Sequence, residues 1–169
     1  MTSTDEFDAL VSRLDPAMVV VTTAQGGERS GCLVGFHTQS SIEPRRYSLW
    51  LSRANHTYRV ALLASHLAVH ALTADDRDVA DHFGSLTGDD VDKFAGLAWT
   101  PGPGGVPLLD RCPHRMEVRR VTLVDDGGDH VCFVTEPVAA ESGRPFRPLR
   151  LHGAADIDPG HAAGEGSDG

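Results

Sequence analysis

A run of β-branched residues, a glycine turn and a second apolar run constrain the fold more than any other feature of the sequence. Residues 17–24, AMVVVTTA, have the composition of a strand. Residues 25–29, QGGER, predict a hairpin turn, because paired glycines adopt positive φ at little cost. Residues 30–36, SGCLVGF, are the predicted returning strand. The first part of the chain is therefore predicted to be an antiparallel hairpin rather than half of a parallel βαβ unit.

The rest of the chain extends this β pattern and inserts short helices into it. The alternation of one long strand breaks at Arg119 and Arg120, which indicates a β-bulge. Hairpins come first and helices lie between later strands, so we predict a mainly β fold, an antiparallel barrel with short helical insertions. Further strands are predicted at residues 46–52, 67–72, 114–126 and 130–140, with an edge strand at 145–153, and helices at 7–14, 53–66, 75–86 and 89–97.

Length, charge and cysteine content limit the possible function classes. The 169 residues suit one globular domain, and the formal net charge of -9 disfavours nucleic acid, because an acidic surface repels phosphate. The sequence has no run of about 18 apolar residues, so no membrane span is expected. Its first residues are acidic and polar, the reverse of a secretory signal, and we expect a cytoplasmic protein. Cys32, Cys112 and Cys132 form no CxxC pair, which is typical of reduced, buried thiols.

A change of composition after Gly153 predicts a domain boundary. Residues 1–153 are expected to form the folded domain, whereas residues 154–169 are rich in Gly, Ala and Asp and carry almost no apolar bulk. Such a segment cannot bury enough surface to offset the entropy lost when it is ordered. We therefore predict a disordered tail, and expect that removal of residues 155–169 leaves folding and ligand binding intact.

Several common site motifs are absent or lie in the wrong context. A GxGxxG match at residues 164–169 lies in the predicted tail, without the strand and helix that dinucleotide binding needs. The phosphate-binding pattern GxxxxGK[ST] is absent, and no GxSxG nucleophile pattern occurs in a structured segment. Among nine histidines, His66 and His70 are the closest pair, but they span a predicted helix–strand junction without a neighbouring carboxylate. We therefore predict no metal site.

Two short polar segments are candidates for anion binding. Thr38–Ser41 is expected to be a loop whose backbone N–H groups converge with the hydroxyls of Ser40 and Ser41. Ser52–Thr57 precedes a predicted helix and offers an arginine beside free N–H groups and a positive dipole end. Helix capping and an ordinary hairpin corner are the alternative explanation, and the sequence alone leaves both open. His130, after a glycine turn, is a third candidate, although such a histidine is more often simply solvated.

Taken together, these segments resemble the flavin reductase family, the FMN-binding split barrels that reduce flavin with NADH or NADPH. The resemblance covers about residues 7–152, and it lies in the order of the motifs, because no single motif is specific. The resemblance implies a split β-barrel of the Greek-key type that forms a homodimer, with FMN in a groove near the subunit interface. The motifs are VVVTT at 19–23, GCLVGFHTQSSIEP at 31–44, LWLSRANHT at 49–57, a Phe-rich insertion at 79–84 and 92–99, and a Gly-Asp-His turn at 128–130.

The resemblance also implies roles for individual residues. His130 is the implied catalytic residue, close to the reactive face of the flavin, where it would help to orient a nicotinamide. Arg53→Ala is accordingly expected to weaken binding of the flavin phosphate. The flavin ring is expected to lie against Leu33, Val34, Gly35 and Phe36, and the residues implied to hold the ribityl chain and phosphate are Gln39, Ser40, Ser41, Ser52, Arg53, Asn55 and Thr57.

The function implied by the resemblance is an NAD(P)H-dependent flavin reductase. Hydride would pass from C4 of the nicotinamide of NADH or NADPH to N5 of the flavin. FMN is the expected flavin and FAD the second choice. The reduced flavin would go to a partner, a flavin-dependent monooxygenase. Because the flavin carries the chemistry, no side-chain acid or base is required, which agrees with the lack of an obvious catalytic pair in the sequence.

Four positions depart from the family pattern and keep two other functions open. The family often has serines where Gly35 and Phe36 stand, a proline in place of Arg45, and a phenylalanine in place of His37. Each lost serine hydroxyl removes a potential hydrogen bond worth about 1 kcal/mol. The alternatives are a flavin-binding protein without reductase turnover, and a split-barrel oxidoreductase that uses the deazaflavin F420 on a small substrate.

Overall fold

An antiparallel seven-stranded sheet that curls into half a barrel forms the body of the protein. The computed structural model of the chain describes residues 3–160. The strands of this sheet are β1 (Val19–Gln25), β2 (Glu28–Val34), β3 (His37–Ser41), β4 (Arg46–Ser52), β5 (His66–Ala71), β8 (Arg115–Val124) and β9 (His130–Glu141). Their order across the sheet is β2-β1-β5-β8-β9-β4-β3, and β6 (Trp99–Pro101) pairs with β7 (Pro107–Leu109) as a separate ribbon. The predicted mainly β, antiparallel class is confirmed.

Three α-helices accompany the sheet within the described residues: α1 (Ser3–Leu14), α2 (His56–Leu63) and α3 (Arg77–Ser85). Short 3₁₀ turns occur at Pro103–Gly105 and Leu151–Ala154. None of the helices described in residues 3–160 combines the length and the apolar character needed to cross a membrane.

The predicted hairpin of β1 and β2 is confirmed. Gln25 pairs with Glu28, so the turn consists of Gly26 and Gly27. Both glycines have positive φ, +59° and +84°, a region that residues with a Cβ rarely adopt. The other edge of β1 pairs with β5, also antiparallel. The two glycines therefore fix the register of the strands on which the rest of the sheet is built.

Two hydrophobic cores lie on opposite faces of β1, which explains why six consecutive residues of this strand are buried. Val19 and Val21 point into the half-barrel, where they join the core that contains Phe133. Val20 points to the other face and joins the core that contains Phe83 of α3. Helix α3 thus covers the outer face of the hairpin.

The predicted bulge in the long hairpin of β8 and β9 is confirmed by a shift of register between Arg120 and Thr122. Arg120 does not simply face solvent. Its guanidinium donates hydrogen bonds to the carbonyl oxygens of Ala61 and Leu62 at the end of α2, at 3.0 and 2.6 Å. The bulge therefore directs a cation toward the negative end of a helix, an arrangement that stabilises the helix.

Three predicted elements differ from the structure. Residues 38–41, predicted as a loop, form most of β3 and pair with β4. Residues 89–97, predicted as a helix, form turns, and Gly96 near their end adopts a φ of +78° that an α-helix does not allow. Residues 145–153, predicted as an edge strand, make only two isolated β-bridges, to Ala17 and Thr73, before the last 3₁₀ turn.

Packing against the domain continues beyond Gly153, where the disordered tail is predicted to begin. Ala154 is buried, and Ile157 packs against the core that contains Phe83. The backbone N–H of Gly160 donates to the carbonyl oxygen of Gly84 at 3.3 Å. The structure thus corrects the predicted start of the tail. Residues 161–169 lie outside the described residues, and their disorder stays a prediction.

Candidate functional site

A cleft of about 380 Å³ lies between the ends of β2 and β4, helix α3 and the segment that follows the last 3₁₀ turn. This volume falls in the range of small-molecule sites, about 300–1,000 Å³. The cleft brings together elements that are distant in sequence, and most of its surface is apolar. Its lining residues are Met18, Cys32, Leu33, Val34, Gly35, Phe36, Trp50, Leu51, Ser52, Asn55, Phe83, Gly84, Leu86, Thr87, His130, Leu151, Ala154, Ala155, Ile157, Pro159 and Gly160.

A second cleft, of about 390 Å³, opens near the start of α2. Its lining includes four acidic residues, Glu28, Asp89, Asp90 and Asp92, and two basic residues, Arg29 and Lys93, so acidic side chains outnumber basic ones. An acidic lining disfavours a phosphate-bearing ligand. The first cleft is therefore the better candidate for the anionic cofactor that the sequence resemblance implies.

Four consecutive residues at the end of β2 form an apolar wall of the cleft: Leu33, Val34, Gly35 and Phe36. The regular strand ends at Val34, but the carbonyl oxygen of Phe36 accepts a hydrogen bond from the backbone N–H of Trp50 at 2.9 Å. This bond ties the strand end to β4. The Phe36 side chain is 55% exposed, and such an aromatic surface at the mouth of a cleft can stack against a planar ligand.

The polar end of the cleft lies where β4 runs into α2. Ser52 and Asn55 line the cleft there. The Asn55 side-chain oxygen accepts a hydrogen bond from the backbone N–H of Thr57 at 3.0 Å and caps α2, so the helix begins later than the predicted residue 53. The cap uses only the oxygen of Asn55, and its amide nitrogen can donate to a ligand. The start of α2 adds a positive dipole end, which favours an anion. The N–H groups that the sequence predicts to be free are largely used within the protein, because those of Arg53, Ala54, Asn55, Thr57 and Tyr58 donate to oxygens of Asp129, Ser52 and Asn55.

His130 lies next to the polar end, because it is the cross-strand partner of Ser52 in the pairing of β4 with β9. Its Nδ1 lies 2.7 Å from the Oδ1 of Asp129, so the ring donates its Nδ1 proton to that carboxylate. This arrangement leaves Nε2 for a ligand. The His130 ring meets the Phe36 ring edge-on, with centroids 5.0 Å apart. The predicted catalytic histidine therefore lies in the same cleft as the predicted apolar wall.

Gln39, Ser40 and Ser41, which the resemblance assigns to the ribityl chain and phosphate, do not line the cleft. They belong to β3, the last strand of the sheet, whose pairing with β4 shifts register between Gln39 and Ser41. The hydroxyls of Ser40 and Ser48 lie 2.7 Å apart and bond to each other, and the Gln39 amide donates to the Ser41 carbonyl oxygen at 3.2 Å. The predicted convergence of N–H groups and hydroxyls in this segment is therefore wrong, because the segment is a strand.

Arg53 and Thr57 also lie outside the lining of the cleft. The Arg53 guanidinium forms an ion pair with Asp125 and donates from Nε to the carbonyl oxygen of Gly128 at 2.9 Å. The hydrogen bond from Arg53 holds the pKa of the Asp125 carboxyl below its usual value. Thr57 is buried, and its hydroxyl lies 2.9 Å from that of Ser30. The contacts of Arg53 thus connect the segment before α2 with the turn before His130, and the hydrogen bond of Thr57 connects α2 with β2.

The far wall of the cleft was not predicted from the sequence. It consists of the end of α3, with Phe83 and Gly84, and of the chain around Ile157. A Cβ on Gly84 would lie 3.0 Å from atoms of both Leu33 and Ile157, so only glycine allows this close approach without a shift. A glycine inside a helical pattern is the one sequence signal that could have indicated this contact.

His70, which forms the closest pair of histidines in the sequence with His66, is a structural residue of the core. Its Nε2 accepts a hydrogen bond from the backbone N–H of Leu109 at 3.1 Å, and its Nδ1 therefore donates to the carbonyl oxygen of Val20 at 3.1 Å. Burial lowers the pKa of His70 to about 4 and keeps the ring neutral.

Residues 3–160 contain no group of three or more His, Cys, Asp or Glu side chains placed to hold a metal ion. The three cysteines are free and buried.

Residues 11–154 match the flavin reductase like domain. The chain is 28% identical over 128 residues to the reductase subunit HsaB of a flavin-dependent monooxygenase from Mycobacterium tuberculosis, which covers 73% of this chain and 64% of that protein. Identity to the FMN reductase (NADH) RutF of Stutzerimonas stutzeri is 26% over 106 residues, 63% of this chain and 60% of that protein. The chain thus matches less than two thirds of the length of these relatives.

Solved structures share the fold. The NADH:FAD oxidoreductase SgcE6 of Streptomyces globisporus superposes with a TM-score of 0.80 at 22% identity, over 90% of each chain. A flavin reductase domain protein of Arthrobacter superposes with a TM-score of 0.76 at 21% identity, over 86% of this chain and 88% of that chain. These similarities place the seven-stranded sheet and its insertions in one architecture with those proteins.

Proposed function

The chain belongs to the flavin reductase-like family, and on this premise we propose that it reduces a flavin with NADH or NADPH in the cleft between β2, β4 and α3. One observation carries the proposal: an apolar strand end, the start of a helix and His130 meet in a single cleft. Each of these matches a different part of the reacting molecules.

The residues of the cleft fit the parts of a flavin. A flavin has a flat ring with apolar faces and a polar rim, followed by a polyol chain and an anionic phosphate. Leu33 to Phe36 offer apolar surface together with backbone groups for the ring and its rim. Ser52 and Asn55 offer donors for the polyol chain, and the positive dipole end of α2 beside Asn55 favours the phosphate.

The protein contributes orientation and charge stabilisation rather than a reactive side chain. When bound, the flavin supplies the acceptor for a hydride from the nicotinamide. Phe36 and His130 form the rim against which a nicotinamide ring can stack. Asp129 fixes the proton on Nδ1 of His130, so Nε2 keeps one orientation toward the carboxamide of the nicotinamide. Backbone N–H groups around the cleft stabilise negative charge as it develops on a bound ring.

FMN is the flavin that we propose first. A cleft of about 380 Å³ suits a mononucleotide, and the adenosine half of FAD would extend beyond it. The name of one relative, an FMN reductase (NADH), supports FMN, whereas FAD stays a candidate because one structural neighbour is named as an NADH:FAD oxidoreductase. The anaerobic reduction assay described below compares NADH with NADPH.

A monooxygenase component is the proposed consumer of the reduced flavin. Two relatives, from Mycobacterium tuberculosis and Rhodococcus jostii, are named as reductase subunits of a flavin-dependent monooxygenase. The protein is proposed to act as a homodimer. Helix α1 supports this, because it has no buried residue and exposes Phe7, Leu10 and Leu14, an apolar surface that a second copy would cover.

The reductase proposal is tested by mixing the purified protein with FMN or FAD and with NADH or NADPH under anaerobic conditions. We expect rapid loss of the visible absorbance of the flavin with at least one pair, and no loss in the same mixture without protein. Oxidation of the nicotinamide, followed in parallel, should match the flavin one to one. Unchanged flavin with both flavins and both nicotinamides would contradict the proposal.

A flavin-binding protein without turnover is the second candidate, and Phe36 is the observation that favours it. Its half-exposed ring stands at the mouth of the cleft against His130, where a nicotinamide has to stack. If this ring blocks the nicotinamide, flavin binds without being reduced. Tight flavin binding combined with no oxidation of NADH or NADPH would support this candidate, and rapid turnover would exclude it.

A further inference from the structure

Lys93, the single lysine of the chain, is only 4% exposed although it lies in a loop. Its Nζ donates hydrogen bonds to the carbonyl oxygens of Gly31 and Phe83, at 2.9 and 3.0 Å. It also lies 5.9 Å from the centroid of the Phe83 ring. Among residues 3–160, none of the salt bridges includes Lys93. Its charge is therefore surrounded by dipoles and an aromatic face, and is not neutralised by a carboxylate.

The position of this cation relates it to the candidate flavin cleft. Phe83 lines the cleft, and Gly31 directly precedes Cys32, which also lines it. The ammonium group thus contacts the backbone of both segments that form opposite sides of the cleft. Burial raises the pKa of the Cys32 thiol, and the positive charge of Lys93 partly opposes this increase. The electric field of Lys93 therefore extends to a residue that lines the cleft. A charge in such a poorly solvated position is weakly screened.

We infer that Lys93 stabilises the negative charge that a flavin in the cleft gains on reduction. This inference rests on the proposed function. Lys93 does not line the flavin cleft, so it is a positioning residue that acts through its field and not a catalytic residue. The phosphate carries the same charge before and after reduction, so its attraction to Lys93 cancels when oxidised and reduced flavin are compared. Only the charge on the ring changes. Lys93 should therefore increase the affinity of the protein for reduced flavin relative to its affinity for oxidised flavin.

The test compares the dissociation constants of oxidised and dithionite-reduced FMN for the wild type, Lys93→Met and Lys93→Arg. Dithionite replaces the nicotinamide, so the result does not depend on reductase turnover. Lys93→Met should lower the preference for reduced over oxidised FMN about tenfold, which corresponds to about 30 mV for a two-electron couple. Lys93→Arg should keep the preference within about twofold, because the charge remains and the neighbouring cleft of about 390 Å³ leaves room for the longer side chain.

A purely structural role would give a different result. Both variants would then bind oxidised and reduced FMN more weakly by the same factor, and this outcome would overturn the inference while leaving the proposed function intact. If Lys93→Met does not fold, Lys93→Gln removes the charge and still donates to a carbonyl. A wild type that binds neither form of FMN would overturn both proposals.

The wild type offers an independent measurement, because a protein with one lysine gives one lysine signal after selective isotope labelling. The Cε and Nζ resonances of Lys93 should shift little when oxidised FMN binds and clearly further when the bound FMN is reduced. Identical lysine resonances in the oxidised and reduced complexes would contradict a direct electrostatic role.

Discussion

Two polar segments of similar composition, Ser52–Thr57 and Thr38–Ser41, have different structural environments. The first contains Ser52 and Asn55, which line the cleft, and it ends in the first turn of α2. The second lies on the edge strand β3, where the hydroxyls of Ser40 and Ser48 bond to each other. Both segments were candidates for the same anion site. Only the first lies in the cleft with the apolar wall and His130.

The difference between these segments shows that hydroxyl and amide side chains form a candidate site only where the fold places them in a cleft. In the first segment most N–H groups are also bonded, but Ser52 and Asn55 line the cleft and α2 adds its positive dipole end. A paired strand uses many of its N–H groups in the ladder and sends its side chains to alternate faces. Substitutions in the first segment should therefore change flavin binding, whereas equivalent substitutions in the second should not.

The largest effect is expected from Asn55→Asp. Asp caps a helix about as well as Asn, so the melting temperature should stay within about 2 °C. The new carboxylate would repel the flavin phosphate, and the affinity for FMN should fall at least about tenfold. Riboflavin, which has no phosphate, should lose less than about threefold. Fluorescence titration of both flavins measures this, with Asn55→Ser as the uncharged control. Equal losses for FMN and riboflavin would mean that the phosphate does not lie at the start of α2.

The next effect concerns the wall that closes the cleft opposite β2. Removal of residues 155–169 deletes Ile157, which packs against the core, so we now expect weaker FMN binding, about fivefold. The melting temperature should fall by about 5 °C, because burial of one large aliphatic side chain contributes about 2 kcal/mol. Removal of residues 161–169 alone is the matched control and should change neither quantity. Unchanged affinity and melting temperature in the longer deletion would show that the segment around Ile157 does not form part of the site.

A smaller effect is expected from Arg53→Ala. Arg53 is engaged by Asp125 and the Gly128 carbonyl oxygen, so its loss should loosen the turn beside His130 rather than remove a phosphate ligand. The affinities for FMN and riboflavin should both fall about two- to threefold. Asp125→Asn, which removes the charge of the partner, should give a similar result. A loss of affinity for FMN without a loss for riboflavin would mean that Arg53 binds the phosphate, as the sequence resemblance implies.

The smallest effect is expected from Ser40→Ala. This substitution removes the hydrogen bond to Ser48 and should lower stability by about 1 kcal/mol. FMN affinity should change less than about twofold, because the side chain does not line the cleft. Calorimetry and flavin titration on the same sample separate the two quantities. A tenfold loss of FMN affinity at Ser40 would remove the distinction between the two polar segments.

Local sequence patterns predicted the elements whose conformation is set by neighbours in the chain. Gly26 and Gly27 supply the positive φ that the first hairpin needs, and the break at Arg119 and Arg120 marks the bulge. The cleft residues Leu33 to Phe36 and His130 were also identified, because the resemblance follows the order of such local segments. These features require little knowledge of the rest of the molecule.

Features that depend on contacts between distant residues were not predicted. β3 has no apolar alternation, because it lies at the sheet edge and is exposed over most of its length, so its sequence resembles a loop. Burial of Lys93 depends on the carbonyl oxygens of Phe83, ten residues away, and of Gly31, 62 residues away in sequence. Ile157 likewise becomes part of a core only because α3 lies beside it. No pattern within a single segment contains this information.

A crystal structure of the protein grown with excess FMN tests the central claim most directly. We expect the flavin ring against Leu33 to Phe36 and near His130, with the phosphate beside Ser52 and Asn55 at the start of α2. Gln39, Ser40 and Ser41 of the same chain should make no contact with the flavin. An empty cleft with the flavin bound along β3, or with its phosphate held by Ser40 and Ser41, would contradict the account.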